Sequence, residues 1–199
     1  VSDRTNPVSK GNVSLDGNYF DSRMIGDYVY AVVNRGVYDY VEQEVTLPKI
    51  YIDDLAVEIP ATDIYYSNVS DRSYTYTTIV AVNVKHVLKE PAQRTFMLGW
   101  ACSMYVSLNN IYLTFPDWTY IAEGLEKTSI HRIHVENDAI EYVASGSVPG
   151  YLLNQFSMDE YNDYFRVATT TGHVTRFLGE SSFRNNGYTL DVGLNIVGR

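Results

Sequence analysis

A chain of 199 residues with 45% hydrophobic and 20% charged side chains carries enough apolar content to bury a sizeable core, which excludes a disordered polymer. Its formal net charge of −9 argues against a nucleic-acid partner, because gripping phosphate backbones takes clustered Lys and Arg. Tyrosine is over-used, with 18 Tyr beside 7 Phe and 2 Trp, and flat rings with a polar tip suit pleated, half-buried strands.

The chain opens on Val1-Ser2-Asp3-Arg4, which lacks the charged-then-apolar plan of a signal peptide, and no apolar stretch reaches the roughly 18 residues of a membrane span. Residues 8–15 read as the outer strand of a preceding unit, followed by a turn at Asp16-Gly17-Asn18. Asp27-Tyr28-Val29-Tyr30-Ala31-Val32 is a turn leading into a strand, and Thr78-Ile79-Val80-Ala81-Val82-Asn83 is the next strand of the same unit. Between them, residues 37–76 hold Pro48, Pro60, Asp53-Asp54 and the alternating stretch Lys49-Ile50-Tyr51-Ile52. This segment is too aromatic for a linker and predicts an extra hairpin or an ordered loop packed on one face. The single cysteine, Cys102, lies in the apolar run 96–106 and is expected to be a buried small residue.

The clearest unit comes next, with strands expected at 101–108, 110–115, 128–135 and 139–148. Residues 120–127, interrupted by Gly124, read as a loop or a single turn. Gly146-Ser147-Val148-Pro149-Gly150 lacks the Lys and the following helix of a phosphate loop and reads as a crossing between units. Asn162-Asp163-Tyr164-Phe165-Arg166-Val167 starts a third unit. Asn186-Gly187-Tyr188-Thr189-Leu190-Asp191 continues it, and a further outer strand is expected to begin near Leu194.

These segments repeat. The interval from Asn109 to Asn162 is 53 residues and that from Ser129 to Asn186 is 57. Both lie near the roughly 40 to 50 residues of a propeller blade. The first interval, Asp27 to Asn109, is 82, because its two strands start 51 residues apart where those of the second unit start 20 apart. An insertion at 37–76 accounts for the excess. Four antiparallel strands per repeat make a β-propeller blade, so the fold expected is all-β: about three blades of a longer propeller. Residues 1–15 would end one blade, 16–98 form a blade with the insertion, and 99–148 and 149–199 form two more.

The run Val148-Pro149-Gly150-Tyr151-Leu152-Leu153-Asn154-Gln155-Phe156-Ser157-Met158-Asp159-Glu160-Tyr161, continuing from Tyr164-Phe165-Arg166-Val167 to Thr171, resembles the signature of a family of archaeal and bacterial secreted proteins. Their C-terminal β-propeller is distantly related to WD repeats. Asp16-Gly17, Ser22-Arg23-Met24-Ile25-Gly26-Asp27-Tyr28-Val29-Tyr30, Thr77-Thr78-Ile79-Val80-Ala81-Val82 and Asn195-Ile196-Val197-Gly198 agree, so the resemblance spans essentially the whole chain. Gly187 departs from it, standing at a position usually apolar in the family, and 176–185 align poorly. The resemblance implies an extracellular or cell-envelope location, a signal or anchor upstream, and remaining blades of the same parent chain as partners. An open three-blade arc exposes strand edges and apolar faces, which predicts self-association of this chain alone.

Two readings of function follow. The preferred one is a non-catalytic interaction module, with protein, peptide or glycan bound at the loop face by the insertion tyrosines Tyr38, Tyr40, Tyr65, Tyr66, Tyr74 and Tyr76. The alternative is a hydrolase- or lyase-type enzyme, or a cation site, built on Asp159 and Glu160 with Arg166, next to Asp163. Exposed tyrosines favour the first; convergence of those carboxylates in one pocket favours the second. His131 and His134 stand three apart on a strand and point to opposite faces, so no metal site is expected there. Ser157 and His173 lack the glycine-flanked elbow of a hydrolase nucleophile, and no cofactor motif is present.

Overall fold

The computed structural model describes residues 4–39, 41, 43–53, 55–66, 74–86, 90–117, 127–162 and 164–171, together with the backbone of 191–197. Among these residues the structure is all-β, and no helix is long and apolar enough to cross a membrane. The largest sheet has five strands, β2 (Asn18–Ile25), β3 (Tyr28–Gly36), β9 (Thr75–Asn83), β10 (Ala92–Met97) and β8 (Ile64–Tyr66), in that spatial order. Its first four strands run antiparallel, whereas β8 adds parallel to β10. The second sheet is a four-stranded antiparallel meander of β11 (Ser103–Val106), β12 (Asn110–Asp117), β13 (Lys127–Glu136) and β14 (Ala139–Pro149). A third sheet joins β15 (Met158–Tyr161), β16 (Tyr164–Thr171) and β17 (Asp191–Val197).

The sheets pack in chain order because their central strands are apolar on both faces. In β12, Ile111, Leu113 and Phe115 point into a core shared with Tyr30, Val32, Ile79 and Phe96 of the first sheet. Tyr112, on the opposite face, joins Met158, Phe165 and Val167 of the third sheet. A strand buried on both faces reads as a near-continuous apolar run rather than an alternation, as Ile111-Tyr112-Leu113-Thr114-Phe115 does. At about 25 cal/mol per Å² of apolar surface, this sandwiching supplies the main drive for stacking the sheets.

Turn chemistry sets the connections. Asn137, at φ 55°, and Asn162, at φ 51°, occupy the left-handed region that Asn tolerates better than most side chains. Gly150 carries the chain from the second sheet to the third at φ 84°, and a Cβ there would sit 2.4 Å from the Thr170 carbonyl oxygen. Only glycine fits so close to a neighbouring backbone. The Gly150 carbonyl also accepts the Thr128 hydroxyl at 2.7 Å.

The insertion supplies several small elements: β4 (Tyr38–Asp39) pairs with β5 (Glu44–Val45), and β6 (Lys49–Ile52) forms a hairpin with β7 (Leu55–Glu58). Within this chain β1 (Val13–Leu15) pairs with β6, a partner not foreseen for residues 8–15. Asp16 clasps this hairpin to the first sheet, accepting the Lys49 N–H at 2.8 Å and pairing with Arg35 at 2.9 Å.

One expectation needs correction. The continuation of the third unit expected at 186–190 lies outside the described residues; the strand that reaches the expected position near Leu194, β17, runs from Asp191 to Val197 against β16. The alternation Val192, Leu194, Ile196 carries that strand. Cys102 was expected to be buried and is exposed. The apolar run around it covers the end of β10, a turn and the whole of β11, so no single strand period governs it. Partial desolvation holds the thiol above its ordinary pKa, so it is no activated nucleophile.

Candidate binding cleft

The insertion tyrosines divide. Tyr65, Tyr66 and Tyr74 are 49%, 77% and 70% exposed, and Tyr38 is also exposed. Tyr76 is only 2% exposed and is no surface anchor: it sits on the central strand β9, opposite Arg35 of β3 and Met97 of β10. Burial raises its pKa, with Arg35 opposing. Tyr40 lies outside the described residues.

The carboxylates do not converge. Asp159 and Glu160 are successive residues of β15, so their side chains leave opposite faces. Asp159 makes a close ion pair with Arg166 across the β15–β16 ladder, and the Arg166 guanidinium stands 5.1 Å from the Tyr161 ring centroid. On the other face Glu160 accepts the Asn110 side-chain amide at 3.2 and 3.1 Å, and its backbone N–H donates to the Tyr105 hydroxyl at 3.1 Å. Asp163 lies outside the described residues. The set Asp159, Glu160 and Arg166 is therefore split between two ion and hydrogen-bond networks, and no group of three or more His, Cys, Asp or Glu able to hold a metal occurs among the described residues.

The two histidines separate as their spacing requires. His131 faces the core with Ile133 and Val135, edge-on to Phe115 with ring centroids 5.1 Å apart. His134 lies on the opposite face with Arg132.

The structure instead gathers an aromatic cleft that the sequence did not reveal. Tyr65 of β8, Arg94 and Phe96 of β10, and Ile140, Glu141 and Tyr142 of β14 line a half-open space of about 300 Å³ between the outer strands of the first two sheets. Phe96 forms its buried floor, with ring centroids 5.8 Å from Tyr65 and 6.0 Å from Tyr142. The Arg94 guanidinium lies 5.7 Å from the Tyr65 centroid, and His131 Nδ1 hydrogen-bonds the Tyr142 hydroxyl at 3.0 Å from behind.

Local structure explains how these side chains meet. The insertion returns as β8 and pairs Tyr65 with Phe96 on adjacent strands, a cross-strand neighbourhood that favours ring contact. A β-bulge shifts the β13–β14 register between Arg132 and Ile133 and leaves Val143 without a ladder partner, locally redirecting the side chains beside it. Of the six lining residues, sequence reasoning had singled out only Tyr65. One signal was available for Tyr142: the alternation of β14 breaks at Tyr142-Val143-Ala144, as a bulge requires.

The sequence matches the family described as "Beta propeller domain" over residues 1–199. It is 51% identical over 77 residues to an uncharacterised protein of Methanocaldococcus jannaschii, a stretch covering 39% of this chain and 11% of that protein. It is 41% identical over 78 residues to an uncharacterised protein of Archaeoglobus fulgidus, covering 39% and 11% respectively. The matched stretch thus spans about a tenth of the length of these relatives. No solved structure matches the chain.

Proposed function

The chain belongs to the β-propeller domain family, and from that premise we propose that it is a non-catalytic interaction module whose ligand enters the cleft framed by Tyr65 and Tyr142. The observation that carries this reading is the pairing of two exposed tyrosines over a buried phenylalanine, with the Arg94 guanidinium against the Tyr65 ring. Clefts with aromatic walls and a few polar groups are the usual form of a binding site, and tyrosine supplies contact area at low entropic cost. The split of Asp159 and Arg166 from Glu160 leaves a hydrolase, lyase or cation-site reading without a converging set.

In this reading each four-stranded meander is one blade. The chain supplies about three, the first carrying the insertion, and the remaining blades of the parent protein complete the ring. The resemblance to secreted proteins supports a cell-envelope or extracellular setting, where a rigid face would meet protein, peptide or glycan. The test is a comparison of the chain, carried in the parent propeller that supplies its remaining blades, with its Tyr65→Ala variant on arrays of peptides and glycans. Ligands retained by the chain and lost by the variant support the cleft; identical profiles for both would remove it.

A further inference from the structure

Resting on the reading of the cleft as a binding site, we propose that its ligand is an extended peptide, which adds as a strand to the open edge of β14 and turns one acidic side chain towards Arg94. The order of strands exposes the seat. The first sheet ends on β8, one strand beyond β10, whereas the second sheet ends on β14. β14 lies over β10, since the Tyr142 and Phe96 ring centroids approach to 6.0 Å across the two sheets. β8 therefore overhangs, with no strand of the second sheet opposite it among the described residues, and Tyr65 is half-exposed there. A further strand beside β14, about 4.8 Å outward, would stand over β8 as β14 stands over β10.

The edge of β14 matches such a strand. Among the described residues β14 pairs with β13 alone, so the main-chain N–H and C=O groups along its other side have no strand partner. A polypeptide backbone answers that row group for group, and strand addition is a recurrent mode of peptide recognition. Side chains alternate along the added strand, and those beside Ile140 and Tyr142 share their face, towards the first sheet. A residue beside Tyr142 thus meets the Tyr65 ring and the Arg94 guanidinium, which lies 5.7 Å from that ring centroid.

Charge selects this residue. Glu141 alternates with Ile140 and Tyr142 and pairs in register with His134, so its carboxylate leaves by the opposite face. Of the lining residues, Arg94 alone turns a charge into the cleft. It is exposed and has no ion-pair or hydrogen-bond partner among the described residues. Over the tyrosine ring its guanidinium keeps N–H donors free in a fork that fits a carboxylate. The net charge of −9 opposes a long acidic run but is screened beyond about 8 Å at physiological salt, so a single acidic residue in contact with Arg94 fits best.

The decisive experiment carries the chain in its parent propeller and screens one array of peptides and oligosaccharides, with hits remeasured by titration calorimetry. The variants are Tyr65→Ala and Arg94→Gln, with Tyr66→Ala as an exposed neighbour outside the cleft, and circular dichroism verifies that each folds. The expected hits are peptides with one required Asp or Glu, weakened about tenfold or more by the first two variants and unchanged by Tyr66→Ala. Replacing that acid in the peptide by its amide should weaken binding to the parent protein and change little with Arg94→Gln. N-methylation along the peptide should weaken binding at every second position, where the N–H faces β14. Tyr65-dependent peptide binding without the acid requirement, or without that alternation, overturns the proposal and leaves the cleft standing. Tyr65-dependent binding of oligosaccharides alone, or Tyr65-dependent self-association of the propeller in sedimentation, does the same. An absence of any Tyr65-dependent binding overturns both.

Discussion

Asn110 and Glu160 join the second and third sheets through a two-pronged hydrogen bond, the Asn110 amide donating to both carboxylate oxygens at 3.2 and 3.1 Å. Arg132 Nε donates to the other end of the same amide at 3.0 Å, so a buried Asn relays a positive charge on β13 to a negative one on β15. Burial, followed by the hydrogen bond to Glu160 and its charge, holds the neighbouring Tyr112 hydroxyl well above its ordinary pKa. The carboxylate that looked catalytic in the sequence is a structural tie.

This assigns different costs to adjacent residues. Glu160→Ala strands a buried amide and should destabilise the chain by about 1–3 kcal/mol. Asp159→Ala removes a solvent-exposed pair with Arg166 and should cost about 0–1 kcal/mol. Urea denaturation of both variants measures the difference. Equal midpoints would remove the tie.

Tyr112 and Phe165 stack with centroids 4.0 Å apart and an interplanar angle of 12°, at the centre of the second interface. Phe165→Ala should therefore cost about 3–5 kcal/mol. Loss of near-ultraviolet circular dichroism at lower urea than in the parent chain is the readout. A cost below about 1 kcal/mol would mean that this interface does not hold the third sheet.

Two glycines with positive φ should respond unequally to alanine. Gly26, at φ 58°, has open space around its missing Cβ, so Gly26→Ala carries only the backbone penalty, about 1–2 kcal/mol. Gly150→Ala adds a collision with the Thr170 carbonyl and should be the more damaging change by thermal melting. The reverse order would show that the crossing between the sheets yields easily.

Burial lowers the His131 pKa from 6.5 to about 4. The folded pKa lies below the unfolded one, so as pH falls the unfolded chain takes up the proton first. Stability is intact above about pH 6.5 and declines towards about pH 4, by up to about 3 kcal/mol from this residue. His131→Leu should flatten that part of the pH profile in urea titrations between about pH 7 and pH 4.5. An unchanged slope in the variant would assign the acid sensitivity to other groups.

Much of the fold was legible in the sequence because it is encoded locally. Strands expected at 101–108, 110–115, 128–135 and 139–148 correspond to β11 through β14, since alternation and Asx turns act over a few residues. The opposite facing of His131 and His134 followed from strand geometry alone. Only the tertiary structure could decide which side chains meet. Tyr65 reaches Phe96 because β8 pairs parallel to β10, and Tyr142 reaches them because the second sheet stacks on the first. Strand alternation sends Asp159 and Glu160 to opposite faces, but their partners, Arg166 on β16 and Asn110 on β12, were fixed only by tertiary pairing. Local pattern sets a residue's strand and face; long-range pairing, which depends on the burial of whole sheets, sets its neighbours.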